Sequence, residues 1–270
     1  MKKIVVIFCV AMMLMSMTAC GQEKQSYDSN EKSTSNNANL NVTDNNIGNE
    51  ESSSSNNDKD ESFSAGVQDV NNIEELEKNI NKDVEDTINS LNLEWKELAD
   101  KITTYDDYTK QVELVKAFYD HINEVNEQLC VRLQEYTIKY AELILISDMS
   151  NEDKYDAFDD LNDCIYDDAA DDLNDGIYDG LLEEMNDVIY DEVLDDSDDA
   201  ESYSEWYEYR SDEYEYWYDT RSDVYENWYD TRSDIYSFYY DMRGDLWGNE
   251  IEEAEETLAD YKEDVEKLKK

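Results

Sequence analysis

The chain has 270 residues with a formal charge of −49, no proline and only seven glycines. This charge argues against nucleic acid as a partner, because phosphates would be repelled rather than neutralised. Proline and glycine interrupt helices, and no segment alternates apolar and polar residues with the period of a strand. The sequence therefore predicts an all-α protein, an elongated antiparallel helical hairpin or coiled-coil-like bundle behind a disordered N-terminal tether.

The N-terminus has the pattern of an export signal. Two lysines precede an uncharged apolar run, residues 4–15, which is too short to span a bilayer as a finished helix. The run closes with the segment Met17-Thr18-Ala19-Cys20. An ordinary secretory signal that happens to be followed by a cysteine is the alternative interpretation.

The Met17–Cys20 segment resembles the lipobox of bacterial lipoprotein precursors, with Met17 in the place where Leu is usual. The resemblance implies that residues 1–19 are removed and that Cys20 is lipidated. Two acyl chains on one cysteine give stable anchoring, so the membrane is an expected partner. The expected location is the extracytoplasmic face of the cell membrane, on a Gram-positive surface.

Residues 20–66 are expected to form the tether. They consist mostly of Ser, Asn, Asp, Glu and Lys, with almost no apolar side chain to bury. Such a segment cannot offset the entropy cost of ordering, so we expect it to be disordered.

Residues 67–147 predict a helical hairpin. Apolar residues recur three or four apart from Ile73 to Ile102, as on one face of a helix. A heptad pattern then extends from Val112 to Leu143, with the polar Asn126 at one apolar position.

Residues 148–200 repeat every four residues. An apolar residue recurs from Leu161 to Val193, and an acid stands two positions after each. On an α-helix each step of four overshoots a turn by about 40°, so the apolar row would wind around the axis. Either the helix crosses its neighbours obliquely or it breaks near Gly176 and Gly180, and a break is the favoured interpretation.

The acids of this segment suggest cation binding. Residues 151–200 contain 21 acids, and carboxylates attract Ca²⁺ or Mg²⁺. Asp171, Asp175 and Asp179 match part of an EF-hand loop, although Leu182 stands where a bidentate acid is required. Weak association of Ca²⁺ or Mg²⁺ is one hypothesis, and a solvated acidic face is the favoured one.

Residues 201–248 carry an eleven-residue aromatic repeat, and residues 249–270 a final coiled-coil-like helix. Eleven residues in three turns form a nearly straight stripe. The stripe contains one arginine per unit, including Arg221 and Arg232, and the tryptophans Trp206, Trp217 and Trp228. It could stack on sugars, bind a protein, or pack internally with its arginines paired to acids of a neighbouring helix, which is the favoured interpretation.

The Trp-Tyr-Asp-x-Arg-Ser-Asp units resemble those of uncharacterised acidic lipoproteins of anaerobic Firmicutes. The resemblance covers roughly residues 150–247 and implies no known activity.

Two cysteines follow Cys20 in the sequence, Cys130 and Cys164. A hairpin turning at residues 147–150 would bring Cys130 and Cys164 within about one helical turn. A disulfide and two free thiols both stay open, since exported proteins meet an oxidising environment.

The single histidine, His121, falls on the solvated side of the heptad, so no nucleophile has an evident base.

The sequence thus predicts a lipid-anchored, non-enzymatic surface protein that acts as a scaffold, a spacer or a partner-binding module at the cell envelope. The alternative is a ligand-binding lipoprotein that takes divalent cations through its acidic repeats or glycans through its aromatic repeat. The protein or cell-wall partner is not identified by the sequence.

Overall fold

The computed structural model describes residues 70–248 and 250–269, apart from the side chain of Asp199. Within these ranges the regular elements are all helical and no strand occurs, which confirms the all-α prediction. The longest elements are helices α1 (Ile73–Ala99), α2 (Tyr105–Ile146) and α6 (Tyr203–Trp247), and the C-terminal helix is α7 (Ile251–Leu268).

Between α2 and α6 lies a continuous helix that alternates between α and π geometry. We call it the composite helix. Its parts are α3 (Asn151–Leu161), π1 (Asn162–Ala169), α4 (Ala170–Asn174), π2 (Asp175–Leu181), α5 (Leu182–Asn186) and π3 (Asp187–Val193). A short 3-10 turn, Ser197–Asp199, leads on toward α6.

Polar residues fix the starts of four helices. The side chains of Asn72, Thr104, Ser150 and Ser202 each accept a hydrogen bond from the backbone N–H three residues later. An N-cap of this kind satisfies one of the N–H groups that a helix leaves unpaired. The local sequence therefore sets where α1, α2, the composite helix and α6 begin.

The helices pack around a core in which α2 contacts α1, α6 and α7. Helices α1 and α2 run antiparallel and form the predicted hairpin, joined across its sides by Arg132 and Asp83 at 2.9 Å. Helix α6 runs parallel to α2, and the composite helix runs antiparallel to α6. Helix α7 lies against α6 through the stacked rings of Phe238 and Tyr261, whose centroids are 4.3 Å apart.

The heptad predicted in α2 is buried along its length, except for the half-buried Val112. Asn126 is fully buried within it. Helix α2 also buries a second stripe, which includes Tyr108, Cys130 and Ala141, because it has neighbours on several sides.

The predicted break near Gly176 and Gly180 is wrong, because both glycines lie inside the π2 segment. In each π segment a backbone N–H bonds to the carbonyl five residues earlier, as Leu182 does to Ile177. This ladder takes more than four residues per turn, whereas an α-helix takes 3.6. Alternating the two geometries brings the average close to four, so the four-residue apolar row stays on one buried face. Its fully or almost fully buried members are Leu161, Ile165, Ala169, Leu173, Ile177, Leu181, Met185 and Ile189.

The π segments follow a twelve-residue repeat that the four-residue pattern had concealed. The motif Asn-Asp-x-Ile-Tyr-Asp recurs at 162–167, 174–179 and 186–191, and each copy covers the start of one π segment. Twelve residues at about four per turn make three turns, and so do eleven residues of α-helix. The extra residue in each unit is absorbed as π-helix, and the composite helix therefore keeps step with the eleven-residue repeat of α6.

Gly176 gives α1 a close approach to the composite helix. A Cβ at this position would lie 2.5 Å from Cδ1 and 2.9 Å from Cγ1 of Ile88. We expect Gly176→Val to lower the free energy of unfolding by about 1–3 kcal/mol, because the added side chain overpacks the contact. Urea denaturation measures this change. The control is Gly244→Ala, where the new Cβ meets no atom within 4 Å. Because alanine favours helix over glycine, this substitution should raise the free energy of unfolding by up to about 1 kcal/mol. Equal effects of the two substitutions would contradict the close approach.

Candidate functional site

Four arginines, one in each repeat of α6, are held between α6 and the composite helix. We call them the arginine row. Each guanidinium stacks on a tyrosine of the composite helix at 3.8–4.1 Å from the ring centroid: Arg210 on Tyr190, Arg221 on Tyr178, Arg232 on Tyr166 and Arg243 on Tyr155. An aromatic ring of α6 itself, four residues earlier in the chain, lies 5.1–5.4 Å from each guanidinium. The row therefore repeats one cation–π arrangement at every third turn of the two helices.

Acids of the composite helix complete the arrangement. Arg221 bonds to Glu183 at 2.8 Å, and Arg232 bonds to Asp171. Arg243 pairs with Asp159 at 2.6 Å, whereas Arg210 donates to the backbone carbonyl of Tyr190 at 2.9 Å. The arginines therefore pair with a neighbouring helix, as the sequence favoured, and they neutralise part of its acidic surface.

The tryptophans of the repeat anchor α6 to the composite helix. Their indole N–H groups donate to backbone carbonyls at 2.8–2.9 Å, in the pairs Trp206 with Leu194, Trp217 with Leu182 and Trp228 with Ala170. Each acceptor is the first residue after a π segment, and the acceptors are spaced by twelve residues while the donors are spaced by eleven. The half-buried tryptophans thus contribute to the interface rather than to an open binding face.

The tyrosines next to the arginine row face solvent instead. We define the tyrosine strip as Tyr203, Tyr207, Tyr214, Tyr218, Tyr225, Tyr229, Tyr236 and Tyr240 of α6. Tyr207, Tyr229 and Tyr240 are 58–67% exposed, and only Tyr225 is half-buried. Rings four residues apart stack at 6.2–6.4 Å in three of the four pairs. The aromatic stripe is therefore divided, with tryptophans toward the composite helix and tyrosines toward water.

Exposed acids border the tyrosine strip on its other side. Glu215 and Glu226 stand three residues before Tyr218 and Tyr229, a spacing that places them on the same side of a helix. Asp219 and Asp230 lie further around and are exposed as well. Across α6 the order is core, arginine row, tyrosine strip and acids.

A buried carboxyl breaks the apolar pattern of α6. Glu213 is 1% exposed and stands where the other repeats have Val224, Ile235 and Leu246. It accepts hydrogen bonds from the hydroxyls of Tyr108 at 2.8 Å and Tyr119 at 2.7 Å, both from α2. Burial raises the pKa of Glu213 above its ordinary value, against the opposing effect of these hydrogen bonds and of Lys116.

The cation site suggested at Asp171, Asp175 and Asp179 is not formed. These acids lie on continuous helix across α4 and π2, whereas an EF-hand requires a loop. Asp171 and Asp179 also face arginines, Arg232 and Arg221. Among the described residues no group of three His, Cys, Asp or Glu side chains is arranged to hold a metal ion.

Cys130 and Cys164 are free thiols in the structure, so the pairing that the hairpin suggested is not formed there. Cys130 is buried on the α2 surface that faces Thr231 of α6. Cys164 lies beside Tyr140 of α2. Tyr140 is ten residues after Cys130, which places it about 15 Å further along the helix. Burial raises the pKa of the Cys130 thiol to about 11 and that of Cys164 to about 12, so both remain protonated at neutral pH.

The predicted signal segment, lipidation at Cys20 and the tether of residues 20–66 lie outside the described residues. Within the described part, no helix combines the length and apolar character that crossing a membrane requires.

The fold and surface together define an all-α antiparallel bundle with repeat-built packing between two of its helices. Comparison with protein-family models, with curated proteins and with solved structures found no match for the chain.

The sequence interpretation missed the residues on the partner side of this interface. Tyr166, Tyr178 and Tyr190 occupy one position of the twelve-residue motif, and comparing that spacing with the eleven-residue repeat would have paired them with the arginines. Glu213 was missed too, although an acid in place of Val224 in the aligned repeats is a visible signal.

Proposed function

We propose that the protein is a lipid-anchored, non-enzymatic surface protein that binds a partner at the cell envelope through the tyrosine strip. The observation that carries this proposal is where the exposed apolar side chains lie. Of the large apolar side chains exposed in the described chain, 8 of 13 are on α6, and seven of those belong to the tyrosine strip. A repeated exposed apolar surface marks an interaction site, and tyrosine is enriched at protein interfaces.

The arginine row supports this role mechanically. The arginines and tryptophans of the repeat bond α6 to the composite helix. Tyrosines of the composite helix that stack on the arginines also contact tyrosines of the strip; the ring centroids of Tyr178 and Tyr225, for example, are 5.6 Å apart. The exposed rings are thereby held by packed neighbours, which lowers the conformational entropy that a binding surface loses. A lipid on Cys20 and a tether over residues 20–66 would present this surface away from the membrane.

Photo-crosslinking in the producing bacterium tests the proposal. A photoreactive phenylalanine is placed at Tyr218 or Tyr229, and matched controls carry it at Leu93 or Leu114, which are exposed on other helices. We expect defined adducts from the strip positions at several times the yield of the controls. Equal yields from all four positions would contradict a partner-binding strip.

The anchor is tested in the same cells by labelling with an alkynyl fatty acid. We expect label on the wild-type chain and none after Cys20→Ser, which should also release the protein from the membrane fraction. Labelling that survives this substitution would contradict lipidation at Cys20.

A further inference from the structure

The partner chemistry of the tyrosine strip can be read from the interface beside it. Each member of the arginine row is a cation held by two aromatic rings, and three of the four also pair with a carboxylate. The strip presents the same two chemistries to solvent, as tyrosine faces bordered by exposed acids such as Glu215 and Glu226.

From this correspondence, and resting on the proposed function, we infer that the strip binds a cationic polypeptide segment rich in arginine and lysine. Cationic side chains would stack on the exposed tyrosines and pair with the bordering acids. Each contact is modest at an exposed site, but the strip repeats over four units of α6, so a segment that spans them gains several contacts at once.

Charge decides against the other occupants. A second copy of this chain would bring another acidic surface to the strip, since the chain carries −49. A neutral glycan would stack on the rings and donate hydroxyl hydrogen bonds to the carboxylates, but it would gain no charge attraction from them. A cationic segment is the occupant that uses the charge of the carboxylates as well as the ring faces, and long-range attraction would also speed its association.

The eleven-residue spacing sets the geometry of the partner. Equivalent tyrosines such as Tyr218 and Tyr229 are separated by about 16 Å along α6. An extended segment covers this distance with about five residues. Four units span about 50 Å, so a cationic segment of roughly 15–20 residues in extended form reaches the whole strip.

Fluorescence anisotropy tests the inference on the whole mature chain, residues 20–270 with Cys20→Ser. The probe is a labelled 20-residue peptide of alternating arginine and serine, at about 0.15 M salt, where charges beyond roughly 8 Å are screened. The strip variant replaces Tyr207, Tyr218, Tyr229 and Tyr240 by Ser, and its control carries Leu93→Ser and Leu114→Ser. Circular dichroism verifies that both variants remain helical.

We expect the strip variant to bind the peptide about tenfold more weakly than wild type, and the control to change by less than twofold. A second pair separates local from overall charge. Glu215→Gln with Glu226→Gln should weaken binding about threefold, whereas Glu252→Gln with Glu255→Gln on α7 should have little effect.

Equal affinity of the peptide for the strip variant and its control would overturn the inference, because neither variant changes the net charge and the peptide would then respond only to overall charge. Tyrosine-dependent binding of a neutral hexasaccharide with no tyrosine-dependent binding of the peptide would also overturn it, in favour of a glycan. Crosslinks at Tyr218 and Tyr229 in cells would leave the proposed function standing in either case, and their absence is the separate failure of that proposal.

Discussion

Replacing Tyr119 by Phe is expected to lower the free energy of unfolding by about 2–3 kcal/mol. The substitution removes one of the two hydroxyls that hydrogen-bond to the buried carboxyl of Glu213, and leaving a buried polar group unpaired costs about 1–3 kcal/mol, or more where the group is charged. Tyr108→Phe combined with Tyr119→Phe should cost about 3–5 kcal/mol, because it leaves the carboxyl buried without either donor. Urea denaturation at pH 7 measures these values.

The control for this cluster removes the carboxyl together with its donors. Adding Glu213→Leu to the double variant supplies the side chain found at Leu246, the equivalent position of another repeat. We expect it to recover most of the lost stability, since an all-apolar replacement of a buried polar cluster is often neutral or stabilising. A triple variant as unstable as the double variant would contradict a cost caused by the unpaired carboxyl.

The same cluster predicts a dependence on pH. Burial raises the pKa of Glu213 in the folded chain above its ordinary value of 4.5, so between pH 4.5 and that raised pKa the folded state holds a proton that the unfolded state has released. This stabilising contribution is present below pH 4.5 and is lost as the pH rises through the raised pKa. The unfolding free energy of wild type should therefore fall over this pH range, and that of the triple variant, which lacks the Glu213 carboxyl, should not show this fall.

Removing arginines from the interface with the composite helix is the second change with a large expected effect. Arg232→Gln removes the stack on Tyr166 and the pairs with Asp167 and Asp171, and we expect a loss of about 2 kcal/mol. Arg221→Gln should cost a similar amount. The two sites are about 16 Å apart along α6, so the double variant should lose about 4 kcal/mol.

Two comparisons identify the source of that loss. Arg232→Lys keeps the charge but loses the planar stack, so it should fall between wild type and Arg232→Gln. Lys78→Gln removes a fully exposed ion pair with Glu74 on α1 and should leave the free energy of unfolding nearly unchanged, because water and salt screen such a pair. If Arg232→Gln lowered the free energy of unfolding no more than Lys78→Gln, the arginine row would not stabilise the fold.

The all-α class, the hairpin and the buried heptad of α2 follow from the sequence, because apolar spacing and N-cap residues report local geometry directly. The alternation of α and π geometry in the composite helix is not predicted by the sequence in the same direct way. A four-residue period fits neither a strand nor a straight α-helix, and π geometry is too rare to be the first explanation. Its cause lies in the partner helix: three turns of α6 take eleven residues, and the packing of Trp217 and Arg221 against the composite helix holds the two repeats in step.

The candidate surface was predictable in part. Arg221 and Arg232 were placed correctly against acids of a neighbouring helix, since their charge inside an aromatic stripe requires counter-charges. The division of the stripe between half-buried tryptophans and exposed tyrosines depends on which side of α6 meets the composite helix. That orientation is set by tertiary packing, which the repeat alone does not specify.

The match between the two repeats is tested most directly by distance measurement between spin labels. One pair is placed at Asp163 and Asp187, two repeats apart on the composite helix, and the other at Ser211 and Ser233, two repeats apart on α6; all four positions are exposed. The native cysteines are replaced in both proteins. If twelve residues match eleven, the two distances agree within about 1 Å, near 33 Å. A composite-helix distance near 36 Å, as 24 residues of regular α-helix would give, would contradict the π segments and the register built on them.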